Sequence, residues 1–175
     1  MRKMSNLTLL ETVNDYILTY TDVTQDKLFR GYQNRATLPQ TDDYTMYWMD
    51  NTVRHGTNVD IYGNTEVSIN ALQERTVSID FCGNDHEKVE NRAKRLAVLG
   101  RSYISCDYFK KQGFNYNYAD DMQYLPFTDE NDQWVHRYRI TIHLTEWDNV
   151  TLTQQTAKEV TVQKVVNVDV AYPPQ

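Results

Sequence analysis

Arg75-Thr76-Val77-Ser78-Ile79-Asp80-Phe81 is the stretch that decides the fold class. Val77, Ile79 and Phe81 alternate with Thr76, Ser78 and Asp80, the period of a half-buried strand. The period then changes. Asn84 with Glu87 offers a helix start, and Val89, Ala93, Leu96 and Ala97 form one apolar stripe with Arg92, Lys94 and Arg95 outside it. Gly100 ends or bends this helix. Further on, Tyr103 to Phe109 reads as a short helix or an extended connector, and Gly113 opens a strand through Tyr118. A long strand places Trp134, Tyr138, Ile140, Ile142 and Leu144 on one face and Arg137, Arg139, Thr141 and His143 on the other. Asp129-Glu130-Asn131-Asp132 reads as the hairpin turn joining it to a strand at Gln123 to Phe127.

Upstream, Thr8 with Glu11 reads as a capping box, and Leu9, Val13, Tyr16, Ile17 and Tyr20 give a helix from about Thr8 to Thr21. Tyr44 to Met49 is aromatic and apolar on both faces, which suits a strand covered on two sides. Gly56, Asn58, Gly63 and Asn64 mark turns after it. Downstream, Val160, Val162, Val166, Val168 and Val170 describe a last strand over 158–170, ended by Tyr172-Pro173-Pro174. The order is helix, strands, helix, strands. It predicts a single α+β domain over residues 1–175: a twisted, mostly antiparallel sheet with two main helices packed on one face.

Composition narrows function. With 175 residues and 40% hydrophobic content, one domain with a real core is expected. Thirteen Tyr against five Phe favour an assembling protein, because Tyr tolerates half-burial at interfaces. A formal charge of -6 argues against gripping a nucleic-acid backbone. Cys82 and Cys106 are expected as free thiols. Met1 to Thr8 lacks the apolar core of a signal peptide, and no run suits a membrane span, so a soluble protein is expected.

The chemistry of a catalyst is missing from the pattern. His86-Glu87-Lys88-Val89-Glu90 resembles half of a zinc-hydrolase motif, but Glu90 stands where the second imidazole is needed. Asp120-Asp121 and Asp129-Glu130-Asp132 lack the ligand spacing of a calcium loop. No phosphate-cradling glycine loop is present. No cofactor and no metal are expected. Two alternatives stay open: a small metal-dependent hydrolase using the helix at His86, and a cytosolic β-rich module binding peptide or nucleic acid.

What stands out instead is Arg30-Gly31-Tyr32-Gln33-Asn34-Arg35, followed by Pro39. It offers guanidinium forks, amides and a phenol without nucleophile or base, a set suited to holding a surface. Together with Tyr118-Ala119-Asp120-Asp121 and Gln123-Tyr124-Leu125-Pro126-Phe127, it resembles the neck or tail terminator proteins of tailed bacteriophages. The resemblance runs through most of the chain. It implies a structural virion protein, assembled in the host cytoplasm, that forms a ring with itself, most often a hexamer. Such a ring closes the tail tube and joins it to the head-side connector, with DNA passing through the lumen unbound and no membrane involved. Arg30, Tyr32, Gln33, Asn34 and Arg35 are the first interface candidates. Arg137 and Arg139 are a second set, read either as a row paired with acids across the sheet or as a contact to a neighbour. Val166, Val168 and Tyr172 place the last strand and its end close to a subunit interface.

Overall fold

The computed structural model describes residues 6–32 and 42–153. Helix α1 (Asn6–Tyr20) leads through a single 3-10 turn (Gln25–Lys27) into β1 (Leu28–Arg30). Strands β2 (Asp43–Tyr62) and β3 (Glu66–Gly83) follow, then α2 (His86–Leu99) and α3 (Tyr103–Lys111). The chain closes its described part with β4 (Asn115–Ala119), β5 (Gln123–Tyr124), β6 (Phe127–Thr128) and β7 (Trp134–Thr153). Across the sheet the order is β1, β2, β3, β7, β4, with β5 and β6 also pairing with β7. Among the described residues only β1 against β2 is parallel; the other pairs are antiparallel. The α+β class is as expected, with α3 as a third, short helix added to the two main ones.

One core joins the helices to one face of the sheet. Val13, Tyr16 and Ile17 of α1, Val89 and Leu96 of α2 and Phe109 of α3 pack with Val77, Ile79 and Phe81 of β3 and Ile140, Ile142 and Leu144 of β7. Register explains the shared face, since Ile79 lies opposite Ile140 and Val77 opposite Ile142. Several tyrosines belong to this core. Tyr16 is buried against Tyr20, Tyr108 and Phe109, and its hydroxyl meets Ser105 Oγ at 2.5 Å. Burial pushes that phenol up to about 12. Tyr116 is likewise buried and donates to the carbonyl of Gly100 at 3.0 Å. Part of the tyrosine excess therefore fills the interior.

Four local expectations change. Helix α1 already begins at Asn6, so Thr8 lies inside it. The cap of α2 is Asp85, whose carboxylate accepts from the amide of Lys88, and not Asn84. Gly56 and Asn58 lie within β2, at a register shift between His55 and Val59, with Gly56 at φ 69. A bulge there needs the left-handed conformation that glycine adopts freely. Trp134, assigned to the core row, is 65% exposed, because β7 begins beyond the reach of the helices.

The largest correction concerns Arg92, expected outside α2 and found buried. Its Nε and one terminal nitrogen donate to Asp22 at 2.8 and 3.1 Å, and the other terminal nitrogen donates to Asp43 at 2.7 Å. Asp43 also receives Lys88 at 3.0 Å and Lys27. The network ties α2 to the start of β2 and to the connection after α1. These cations hold the Asp43 carboxyl far below its usual range, against the desolvation that would raise it.

Beyond the helices the three long strands continue as an arm. From Asn51 onward β2 is exposed on both faces, and the matching ends of β3 and β7 accompany it to the Tyr62–Glu66 turn. The pairing of β3 with β7 runs from Glu66 opposite Thr153 to Gly83 opposite His136 without a register shift.

Candidate interaction surface

On the face away from the helices, strand pairing brings together side chains that lie far apart in sequence. Asp80 of β3 is opposite Arg139 of β7, and β2 delivers Trp48 beside them. The Arg139 fork donates to both Asp80 oxygens, at 2.7 and 2.9 Å, while its guanidinium lies 4.9 Å from the Trp48 ring centroid. Trp48 Nε1 donates to Asp50 at 3.1 Å, and Asp50 accepts from Ser78. Asp80 and Ser78, expected to be solvated, are buried under this layer. A carboxylate so placed needs a fixed cation, and Arg139, with its own basicity raised by Asp80, supplies it. Lysine at this position would lose both the fork and the stack. Arg139→Lys is expected to lower unfolding free energy by about 1–2 kcal/mol, read from the urea midpoint.

Arg137 is also engaged within the subunit. It donates to the Leu125 carbonyl at 2.9 Å and lies 5.3 Å from the Phe127 ring centroid. The reading of Arg137 and Arg139 as a row paired with acid across the sheet is thus seen for Arg139, and Arg137 Nε lies 4.0 Å from the same Asp80 carboxylate; both arginines remain partly exposed at this face.

The Arg30 motif begins as the end of a short strand running into a turn. Arg30 closes β1 opposite Tyr47, and the Gly31 amide donates to the Tyr47 carbonyl at 2.8 Å. A Cβ on Gly31 would stand 3.2 Å from Trp48, so the close approach of backbone to indole suits glycine. Tyr32 follows at φ 54, 88% exposed, edge-on to Trp48 with centroids 5.7 Å apart. Tyr32, Trp48, Arg139 and Asp80 therefore form one continuous aromatic and ionic layer leading from the motif onto the sheet. Trp48, Asp50, Ser78 and Asp80 escaped the sequence reading; the signal was the opposite charge on two alternating polar rows. Gln33, Asn34, Arg35, Pro39, Val166, Val168 and Tyr172 lie outside the described residues, as does the whole 158–170 segment.

The His86 helix start is engaged structurally. His86 Nε2 meets the Tyr138 hydroxyl at 2.6 Å, and its ring packs on His136 with centroids 4.5 Å apart. Tyr124 in turn meets His136 Nδ1 at 2.8 Å. Among the described residues no group of three His, Cys, Asp or Glu is placed to hold a metal ion. Cys82 and Cys106 are free thiols, and burial pushes Cys82 up to about 12, away from nucleophilic use.

Phage neck terminator proteins match this chain over residues 8–174. The chain belongs to that family. No curated protein matches it individually. This neck terminator is a structural component of the phage tail neck and hence of the virion. No helix among the described residues is long and apolar enough to cross a membrane.

Proposed function

We propose that this neck terminator closes into a ring, six subunits being the expected number, at the end of the tail tube. The ring terminates the tube and offers its other surface to the head-side connector. DNA passes through its lumen without specific binding, and assembly takes place in the host cytoplasm without cofactor or membrane. The observation that carries this reading is the pairing of family membership with an arm of three strands that reaches past the helices, its β2 strand exposed on both faces. A free monomer gains little from such a projection, whereas a neighbouring subunit can grip it. A heterologous contact repeated around an axis closes when its rotation divides the circle.

Negative-stain microscopy and solution mass, on the protein alone and with purified tail tubes, test the ring. Closed rings, free or on tube ends, are expected; a monomer that ignores tube ends would sink the reading. Arg30, Tyr32, Gln33, Asn34, Arg35, Arg137, Arg139 and Tyr172 are proposed to contribute to contacts with neighbours. An Arg30→Ala, Arg35→Ala double variant is expected to keep its melting temperature within a few degrees, since Arg30 is partly exposed and surface charges contribute little to folding, yet to assemble poorly. Unchanged assembly would make the motif ordinary surface.

A further inference from the structure

The arm carries an exposed apolar block on the helix side of the sheet. Tyr62 and Leu152 flank Val67, and Val150 lies beside Ile69, with Asp60 on the other side of Ile69. Two-residue steps along β3 lead from Val77 in the core to Ile69 and Val67, so these residues face the same way as the core. Tyr62, Val150 and Leu152 are exposed, and Val67 and Ile69 are partly so. Acids border the block, Asp60 in the Val150 row and Asp148 in the row below it. Residues 56–72 and 147–153 hold Asp60, Glu66 and Asp148 and no Lys or Arg. This end of the arm is therefore apolar on one face and carries acids without a cation.

The complementary set stands on the helices. Around the turn between α2 and α3, Val98 and Tyr103 are 73% and 79% exposed, and Ile104 is exposed too. Between that turn and β4 lies an open cleft of about 490 Å³, lined by Arg101, Tyr103, Cys106, Asn117 and Tyr118. Residues 86–111 contain seven Lys and Arg against three Asp and Glu, a net charge of +4 in a chain of -6. Lys94, Arg101 and Lys111 meet acids at 2.9, 2.6 and 2.6 Å in exposed pairs. Arg95 and Lys110 are exposed and have no ion pair among the described residues. In the chain Arg95 and Arg101 bracket Val98.

We infer that the arm of one subunit docks on the α2–α3 turn of the next. Its Tyr62, Val67, Ile69, Val150 and Leu152 face covers Val98, Tyr103 and Ile104, and Asp60 and Asp148 lie beside Arg95 and Arg101. The inference rests on the ring reading and names its contact. The arm of the same chain is unsuited to this position. Val150 stands six residues beyond Leu144, roughly 20 Å further along β7, whereas β4 at the cleft reaches only Thr145. β3 and β7 run outward together without a register shift that would fold the arm back. One copy's arm on another's helices joins two different patches, the heterologous contact that a ring requires. The apolar surface supplies affinity, and the opposed charges steer the approach and fix the direction of the arm. A basic layer can also face a phosphate backbone, but the exposed Val98, Tyr103 and Ile104 beside it favour an apolar partner.

Cross-linking tests the contact in rings, free or on tube ends, of an otherwise full-length Cys106→Ser protein. Ile104→Cys with Leu152→Cys, treated with a short bis-maleimide, should give a ladder of multiples of the subunit mass on a denaturing gel. Thr151→Cys, on the opposite face of β7, should link to Ile104→Cys at least about tenfold more slowly. Equal rates, or a link confined to one chain, would overturn the docking. The Ile104→Cys thiol alone should react with a maleimide at least about tenfold more slowly in the ring than in the dissociated subunit. Full protection already in the subunit would assign the site to the chain's own remaining residues and overturn the inference. Arg95→Glu should raise the protein concentration needed for rings at least about tenfold. An unchanged requirement, with salt-sensitive binding of a short DNA duplex lost instead, would assign the basic layer to DNA. Rings that form without the cross-link overturn this contact alone, whereas a subunit that never associates overturns the ring and the contact together.

Discussion

Asp43→Ala is expected to destabilise the subunit by about 3–5 kcal/mol, the cost of removing one partner from a buried ionic cluster. Asp43 is the anion on which Lys27, Lys88 and Arg92 converge, and Arg92 lies under α2 with almost no exposed surface. Without it, one end of the Arg92 guanidinium stays buried without its acceptor while two further cations crowd the same space. An exposed pair gives the contrast. Arg101 and Asp121 meet at 2.6 Å but stand in solvent, so Arg101→Ala should change stability by no more than about 0.5 kcal/mol. Urea unfolding of both variants checks the difference, and equal small effects would show that the cluster contributes little. The pH dependence follows in sign. The folded Asp43 carboxyl titrates below its ordinary value of 3.8, so its contribution is complete above that value and is lost as pH falls toward the folded one. Asp22, lowered chiefly by its hydrogen bonds to Arg92, acts in the same direction. Acid unfolding of the unsubstituted protein should therefore steepen below about pH 4, and Asp43→Asn should flatten that limb.

Truncation after Thr156 is expected to give aggregated or non-assembling protein, whereas removal of residues 173–175 alone should be mild. The longer deletion takes away the whole Val row, which is more apolar than a free tail leaves exposed. Light scattering of the purified protein and the yield of infectious particles read the outcome. Normal particles from the longer truncation would show the segment to be dispensable.

How far the fold was legible depended on whether a side chain's partner lay nearby in sequence. The alternation through Val77, Ile79 and Phe81 and the stripe of Val89, Ala93 and Leu96 are local patterns, and each corresponds to the buried face of a real element. Arg92 broke the pattern because periodicity assigns charges to solvent, whereas its acids arrive from Asp22 and Asp43, 70 and 49 residues away. Asp80 and Ser78 were misplaced for a related reason. Their cover, Trp48 and Arg139, comes from two other strands and can be seen only once register is known. Glycine misled at Gly56, where the same left-handed freedom that makes turns serves a bulge in a continuing strand. Of the candidate surface, the strand-to-turn passage at Arg30 to Tyr32 was readable locally. The layer joining it to Asp80 was not, since it is made by three strands meeting.

The passage of β3 and β7 from the core into the arm without a register shift also has a mechanical meaning. No hinge separates the two parts along β3 and β7, whose hydrogen bonds continue in register from the tip to the rows beneath the helices. A force applied at the tip along the strands is carried as shear across many bonds at once, and peeling them one after another would need a sideways pull. A load borne by the arm is thus delivered directly to Val77, Ile79, Ile140 and Ile142, all buried in the core of the subunit.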